Sequence, residues 1–270
     1  MALVPYSYQR AFSVELFADS CSIQIGCHML HISQDHRGSG GQQPRGRTEG
    51  SDDMPESAQG EDPEAPLQNV GLRVWQCAFV LTEYLIRRPP FSQWAGVKVL
   101  DLGSGTGVTG ICLAKAGADV VLTDLEHITP LTQRNVEANC QALLSGRANV
   151  KEYRWGEPPE CLGFQPDVIT AADCVYQPEH YDALVSSICR CSGAHTLTYL
   201  AYRRRGRHED SFIDLLASRN LHIQEISQDS LHDEFRDGNY IIICISNLDA
   251  PRNSSSNVEL PGKERHAVCI

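Results

Sequence analysis

Short apolar runs alternate with helical patterns along most of the chain. Strands are predicted where β-branched residues cluster, at 97–103, 118–124, 149–155, 166–173 and 195–202. Between them, apolar residues at helical spacing predict a helix that ends at Gly117, one through Arg134 and Ala138, and two over 179–190 and 209–218. Buried strands that alternate with helices are typical of a parallel sheet covered on both faces. The pattern therefore predicts an α/β domain.

Two further apolar strands are predicted near the end of the chain, at 222–228 and 240–246. The polar loop between them is too short for the crossover helix that parallel neighbours require, so the two strands should run antiparallel to each other. Together with the first five strands they predict a seven-stranded, doubly wound Rossmann-like sheet. Residues 69–247 carry this predicted domain.

Two elements are predicted before the first core strand. Apolar and polar residues alternate within 12–33, which predicts an N-terminal β-hairpin, inside residues 1–33, that turns near Asp19-Ser20. Apolar residues from Val74 to Leu85 then fall at helical spacing, and Pro89-Pro90 end that helix.

Residues 34–68 differ in composition from the rest of the chain. They are rich in Gly, Ser, Gln, Pro and acidic residues and contain almost nothing to bury. Such a segment does not offset the entropy of ordering, so 34–68 is predicted to be a disordered acidic insertion. The polar segment 248–270 is predicted to be a flexible tail.

Net charge and cysteine content restrict the classes of binding partner and the cell compartment that we expect. The 270-residue chain has a formal net charge of −11, which disfavours non-specific binding to nucleic-acid phosphates or anionic lipid. No apolar run approaches the ~20 residues of a transmembrane helix, and Arg10, Glu15 and Asp19 interrupt the region where a signal peptide would be apolar. Eleven cysteines, mostly in apolar segments, are typical of buried thiols in a reducing compartment. We expect a monomer in the cytoplasm, with the nucleus as a second location.

A glycine-rich loop follows the first core strand in DLGSGTGVTG (101–110). Glycines allow a sharp turn and a close approach of the backbone to a ligand, and the start of the next helix offers N–H donors. The loop therefore predicts a site for a nucleotide-like cofactor. Gly105-x-Gly107-x-x-Gly110 alone also satisfies a dinucleotide fingerprint, so the loop does not separate the cofactor classes.

Two acidic residues favour one of these classes. Asp124 ends the second core strand, where a carboxylate can accept both hydroxyls of an adenosine ribose in either NAD or S-adenosylmethionine. Asp101 stands before three glycines at alternate positions, a spacing typical of methyltransferase loops that face an amino-acid moiety rather than a pyrophosphate. The pair favours S-adenosylmethionine.

Five segments in order carry a family resemblance: VWQCAFVLTEYL, DLGSGTGVTG, VVLTDLE, YRWGE and ITAADCVYQPE. Together they resemble the seven-β-strand protein-lysine methyltransferases of the methyltransferase-like family. The resemblance runs from Phe12 to Ser246, excluding 34–68. It is greatest to the branch that methylates valosin-containing protein, followed by the Hsp70-directed branch, and so implies an AAA ATPase or a chaperone as the protein substrate.

The resemblance also implies a set of cofactor-binding residues. Asp124 would hold the ribose, Trp155 would pack against adenine, and the loop amides with Trp75 would surround the methionine end. The full set implied by position is Trp75, Gly103, Ser104, Gly105, Asp124, Trp155 and Ala172. Trp155 as an ordinary core aromatic and Trp75 as a cap on the first helix remain alternatives. Gln76 departs from the acidic residue expected after the tryptophan.

The acceptor end is predicted at Asp173-Cys-Val-Tyr176, at the carboxyl edge of the fourth core strand. In the family this Asp-x-x-Tyr is associated with the target lysine, so Asp173 would orient the amine and Tyr176 would form an aromatic wall. A helix N-cap or a strand-end turn is the alternative for Asp173. Nucleic-acid amino methyltransferases often carry Pro-Pro here, and its absence argues against a flipped base.

Three alternatives stay open at this stage. The acceptor could be a small molecule or a nucleic acid, or the chain could be an inactive scaffold that binds the cofactor.

The arginines in RRRGR (203–207) could contact RNA or an acidic substrate loop, although a solvated basic turn is the simpler interpretation. Cys27-His28-x-x-His31 contains metal-ligand types, but Cys27 is expected to point inward and no second pair has finger spacing, so we expect no metal.

Overall fold

A seven-stranded mixed sheet and a separate hairpin organise the residues described by the computed structural model, which are 18–35, 70–141 and 146–247. The strands are β1 (Ser20–Ile25), β2 (His28–Ser33), β3 (Lys98–Leu102), β4 (Asp119–Asp124), β5 (Arg147–Glu152), β6 (Val168–Ala172), β7 (Leu197–Arg203), β8 (Leu221–Glu225) and β9 (Tyr240–Asn247). The helices are α1 (Gln76–Arg87), α2 (Val108–Lys115), α3 (Thr129–Cys140), α4 (Tyr181–Cys191) and α5 (Glu209–Ser218).

The large sheet has the strand order β5-β4-β3-β6-β7-β9-β8. The five strands from β3 to β7 run parallel to one another, whereas β9 is antiparallel to both β7 and β8. The predicted Rossmann-like fold with antiparallel last strands is therefore confirmed. The chain moves outward from β3 to β5 and then returns to β6 on the other side of β3. Ligands bind at such a reversal, outside the carboxyl ends of the strands.

Helices cover both faces of the sheet. One apolar cluster joins α1, α2 and the hairpin to one face, and a second joins α4 and α5 to the other. Strands β3 and β6 are almost wholly buried because they lie between these layers. Double coverage accounts for their mostly apolar sequences.

The N-terminal hairpin is present, but its turn differs from the prediction. Strands β1 and β2 pair from Ser20 with Ser33 to Ile25 with His28, so the chain turns at Gly26 and Cys27 rather than near Asp19-Ser20. Gly26 adopts a φ of +57°, a left-handed conformation that glycine tolerates without strain. Cys27 lies exposed at this turn and not inward as expected.

Two asparagines one helical turn apart bind the hairpin to α3. Asn139 accepts from the His31 amide at 2.8 Å and donates to its carbonyl at 2.7 Å. Asn135 bonds Ser33 in the same way, at 2.8 and 3.0 Å. The two side chains thus satisfy the outer edge of β2 as a third strand would.

Gln34, the first residue of the predicted insertion, belongs to the folded part. Its buried side chain accepts from the Val74 amide at 2.9 Å, which ties the end of β2 to the segment before α1. Residues 36–69 and 248–270, which contain most of the predicted insertion and tail, lie outside the described residues. Within the described ranges, no helix is long and apolar enough to cross a bilayer. Those ranges also hold no cluster of three or more His, Cys, Asp or Glu side chains suited to a metal ion.

Candidate active site

One cavity of about 830 Å³ lies at the carboxyl ends of the parallel strands. It is lined by all nine residues predicted for the site, namely Trp75, Gly103, Ser104, Gly105, Asp124, Trp155, Ala172, Asp173 and Tyr176. These residues are spread over 102 positions of sequence, from 75 to 176, and meet because the strands that carry them end at one edge of the sheet. The cavity therefore brings the predicted cofactor and acceptor residues together.

The glycine loop forms one wall of this cavity with a backbone that other residues would strain. Gly103, Gly105 and Gly107 have φ values of +63°, +53° and +87°. A Cβ on Gly103 would stand 2.8 Å from Cζ2 of Trp155, and one on Gly105 would stand 3.0 Å from the Gly71 carbonyl oxygen. Both glycines are required by close packing as well as by their left-handed backbone.

The N–H groups of this loop donate hydrogen bonds to other protein atoms, although they were expected to be available to a ligand. The Ser104 amide donates to the Thr123 carbonyl at 2.9 Å, and the Gly107 amide to the Ser104 carbonyl at 2.8 Å. The Gly105 amide donates to Asp124 at 2.8 Å, and the Gly110 amide to Asp101 at 3.2 Å. Four of the N–H groups that would cradle a pyrophosphate are therefore occupied. The loop is a preformed wall, which suits S-adenosylmethionine better than a dinucleotide.

Asp101 is buried beneath the loop and joins three elements. One carboxylate oxygen accepts from the Thr170 hydroxyl of β6 at 2.6 Å, and the other accepts from the Gly110 amide in the first turn of α2. Burial, aided by the nearby Asp124 charge and opposed by the two hydrogen bonds, raises the pKa of this carboxyl from 3.8 to about 7. Asp101 thus holds the loop in shape from below.

This raised pKa predicts a pH-dependent contribution to stability. The folded state binds the Asp101 proton more tightly than the unfolded chain, so the contribution is complete below about pH 3.8 and is lost as pH rises through about 7. The loss amounts to at most about 4 kcal/mol. Asp101→Asn removes the titration, so in cofactor-free protein its Tm relative to the parent should rise between about pH 5 and pH 8.5. Parallel melting profiles for the two proteins would contradict this role.

Asp124 ends β4 with both carboxylate oxygens facing donors. One oxygen accepts from the Gly105 amide and the other from the Leu125 amide, each at 2.8 Å. Each oxygen retains a second lone pair, and the residue lines the cavity. Burial raises the pKa of Asp124 and the two amide bonds oppose the rise. The side chain is held in one orientation with acceptor capacity to spare.

The two tryptophans combine the alternatives considered for them. Trp155 lies in the turn after β5, which ends at Glu152, and its half-buried ring packs over Gly103 while lining the cavity. Trp75 is the N-cap residue of α1, and its indole donates to the Val70 carbonyl at 2.7 Å. Its ring is nevertheless 42% exposed at the cavity. Both rings therefore have a structural contact and a face available to a ligand.

Asp173 caps a helix, but a distant one. One carboxylate oxygen accepts from the Cys77 amide in the first turn of α1 at 2.8 Å, and the other lies 3.7 Å from a guanidinium nitrogen of Arg205. Its φ of +57° is a left-handed conformation that Asp and Asn tolerate better than other non-glycine residues. Burial raises the pKa of Asp173, and the Cys77 bonds and the charges of Arg205 and Arg203 oppose this. The side chain lines the cavity and also joins three segments of chain.

Sequence comparison identifies the family to which the chain belongs. A family model described as lysine methyltransferase matches residues 63–219, more than half of the chain. The chain belongs to the lysine methyltransferase family. It is 32% identical over 161 residues to the mouse EEF1A lysine methyltransferase 3, covering 59% of this chain and 68% of the relative. It is 27% identical over 237 residues to the mouse protein N-lysine methyltransferase METTL21A, covering 86% and 93% of the two chains.

Comparison with solved structures supports the fold. The crystal structure of SMU.776 complexed with SAH matches with a TM-score of 0.52 and 12% identity, over 84% of this chain and 56% of that one. The prediction of a protein-lysine methyltransferase that uses S-adenosylmethionine is confirmed, because the chain belongs to the lysine methyltransferase family.

Two site features of this lysine methyltransferase differ from the expectations: the first was missed, and the second was interpreted as a solvated basic turn. The turn Val70–Leu72 covers the glycine loop, since the Gly71 carbonyl lies against Gly105, and its three residues carry too short a pattern to be recognised. The loop after β7 contributes Arg205 and Arg207 to the cavity. Its signal was available, because these arginines directly follow the carboxyl end of a parallel strand.

Gln76, which stands where an acidic residue was expected, points away from the cofactor residues. Its side-chain carbonyl accepts from the Tyr240 hydroxyl at the start of β9. Gln76 is absent from the residues that line the cavity. The departure therefore changes a contact between α1 and β9 and leaves the lysine methyltransferase cavity intact.

Proposed function

We propose that this chain transfers a methyl group from S-adenosylmethionine to a lysine ε-amine of a protein, with the cofactor along the glycine loop and the lysine at Asp173 and Tyr176. The observation that carries the proposal is the single cavity that joins these two groups of residues. Its volume of about 830 Å³ is in the range of sites that enclose a whole ligand of this size.

The residues present fit the cofactor. Asp124 would accept the ribose hydroxyls with its spare lone pairs, and the flat ring of Trp155 would pack against adenine. Gly103, Ser104 and Ala172, together with the exposed face of Trp75, would surround the methionine end. The cofactor supplies an electrophilic methyl group on its sulfonium. The wall that receives it is rigid because Asp101 and Asp124 hold the loop amides.

The lysine must lose a proton before it can accept the methyl group, and the residues at the acceptor end would assist this step. A free lysine with a pKa of about 10.4 is about 0.1% neutral near pH 7.4, which adds about 4 kcal/mol to the barrier. Asp173 would align the ammonium and then the amine, and enclosure would remove water from it. Burial raises the pKa of Tyr176 to about 12, so its side chain stays a neutral phenol and serves as an aromatic wall rather than a base. The proton would leave through water or carboxylate.

A chaperone or an AAA ATPase is the substrate that we propose, on the family resemblance of the motifs in the sequence. The relatives add a second candidate, because one of them is by name a methyltransferase of EEF1A. We further propose that the enzyme acts as a monomer in the cytoplasm or nucleus. The ten cysteines of the described ranges form no disulfide with one another, which supports a reducing compartment.

Purified substrates separate these possibilities. The enzyme is incubated with labelled S-adenosylmethionine and, in turn, Hsp70, valosin-containing protein and EEF1A, with mass spectrometry of each protein and assay of S-adenosylhomocysteine. Methylation of Hsp70 or valosin-containing protein is expected. Transfer to EEF1A alone would overturn the substrate proposal and leave lysine methylation standing. Failure to form S-adenosylhomocysteine with any protein, including a whole lysate, would favour an inactive scaffold.

A further inference from the structure

The loop after β7 is strongly basic, and its first two arginines are engaged outside the cavity. The basic loop is defined here as residues 203–207. The guanidinium of Arg203 lies 5.9 Å from the centre of the Tyr240 ring. Arg204 lies 3.9 Å from a carboxylate oxygen of Glu225 on β8. Both side chains thus fasten the loop to neighbouring strands, and neither lines the cavity.

The other two arginines line the cavity, and they differ in their partners. Arg205 pairs with Asp173 at 3.7 Å and is one-third exposed. Arg207 is exposed, and within the described ranges no carboxylate lies within 4.0 Å of its guanidinium. Arg207 is therefore a cation at the cavity rim that forms no ion pair with the part of the chain that the structure describes.

A buried carboxylate fixes the backbone that carries Arg207. Glu209, at the start of α5, accepts from the Arg205 amide at 2.8 Å and from the Arg207 amide at 2.9 Å, one bond to each oxygen. Gly206 between them has a φ of +67°, which allows the tight turn. The backbone of the rim is thus fixed, so the long Arg207 side chain extends from a rigid base.

We propose that Arg207 recognises an acidic side chain of the protein substrate, an Asp or Glu that lies beside the target lysine in space. The inference rests on the proposed function, which places the lysine at Asp173. Arg205 connects the two positions, because it pairs with Asp173 and precedes Arg207 by only two residues, which span at most about 7 Å of backbone. A guanidinium binds a carboxylate through two parallel hydrogen bonds, a geometry that lysine does not offer.

Charge complementarity favours an acidic protein surface over a nucleic acid. The chain as a whole carries a net charge of −11, which repels a polyanion along its length. Arg207, which forms no ion pair with the described residues, is suited to one carboxylate beside the acceptor site. A substrate carboxylate at that point also selects among lysines, because lysines without an acidic neighbour would leave Arg207 without a partner.

The test compares three variants of the full chain on a nuclease-treated cell lysate with labelled S-adenosylmethionine. Arg207→Glu reverses the charge, Arg207→Lys retains it without the planar fork, and Arg134→Glu reverses an exposed charge on α3 that does not line the cavity. Mass spectrometry gives the initial rate at each methylated lysine. Calorimetry gives the dissociation constant for S-adenosylmethionine.

Arg207→Glu is expected to slow methylation of the parent enzyme's target lysines about ten-fold or more, because like charges then face each other. Arg207→Lys should lie between this variant and the parent, Arg134→Glu should match the parent, and cofactor affinity should be equal in all. Changing the acidic residue nearest the target lysine to Lys should restore activity of Arg207→Glu on that substrate.

Equal rates for Arg207→Glu and the parent on the same lysines would overturn the inference and leave the proposed function intact. Label that enters RNA in an untreated lysate, and is lost with Arg207→Glu, would also overturn it. Absence of any methylated lysine with the parent, despite cofactor binding, would be a failure of the proposed function itself.

Discussion

Replacing Asp124 by Ala is expected to weaken S-adenosylmethionine binding by about a hundred-fold or more, since each ribose hydrogen bond to a carboxylate contributes about 1.5–3 kcal/mol. The structure adds a second reason. Asp124 also accepts from the Gly105 and Leu125 amides, so its loss releases the loop that forms the cofactor wall. Calorimetry with S-adenosylmethionine measures the change directly.

A matched control lies on the same strand. Asp119 begins β4 at the opposite end, and among the described residues its carboxylate has one ion-pair contact, 3.8 Å from exposed Arg147. Asp119→Ala should leave the cofactor dissociation constant unchanged. Affinity for Asp124→Ala within three-fold of the parent would show that the ribose lies elsewhere, and tight NAD binding by the parent would contradict the choice of cofactor.

Replacing Asp173 by Asn should lower kcat/KM for methyl transfer by one or more orders of magnitude while cofactor affinity stays nearly intact. Asn keeps an oxygen for the Cys77 amide and tolerates the φ of +57°, so the cap and the backbone survive. What it removes is the negative charge that faces Arg205 and, in the proposed function, the target ammonium. In a reaction that depends on orientation, this loss falls on the chemical step.

Two further variants separate charge from structure. Asp167→Asn alters a carboxylate that accepts the Lys98 amide at the other end of β6, and should not affect turnover. Asp173→Ala loses the cap as well and places in the left-handed region a residue that tolerates it less well than Asp or Asn, so its Tm should fall by several degrees, for a cost of about 1–3 kcal/mol. Unchanged single-turnover methylation by Asp173→Asn at native Tm would leave Asp173 a cap only.

The fold could be predicted because its elements are specified locally. Alternation of β-branched runs with helices identified β3 to β9 and the helices between them within a few residues. The hairpin turn was missed because the apolar alternation continues through Gly26, while the contacts that fix β2 come from Asn135 and Asn139 on α3, over a hundred residues away. Local pattern does not contain that information.

The sequence predicted which residues line the site better than it predicted the hydrogen bonds between them. The positions of Asp124 and Asp173 at strand ends indicated that both would face one edge, as they do. That Asp173 caps α1, and that the loop amides are consumed by Asp101 and Asp124, follows only from how the elements pack. The basic loop was interpreted as a solvated turn because the sequence does not show which arginine finds a carboxylate.

The most direct test uses S-adenosylmethionine with an isotopically labelled methyl group. Parent enzyme is incubated with a nuclease-treated lysate, total protein is hydrolysed to amino acids, and label on the lysine ε-nitrogen is quantified beside the S-adenosylhomocysteine released. We expect one labelled methyl on lysine for each S-adenosylhomocysteine formed, and neither product with Asp124→Ala. Label recovered in RNA, in small molecules or on another amino acid would contradict protein-lysine methylation by this cavity.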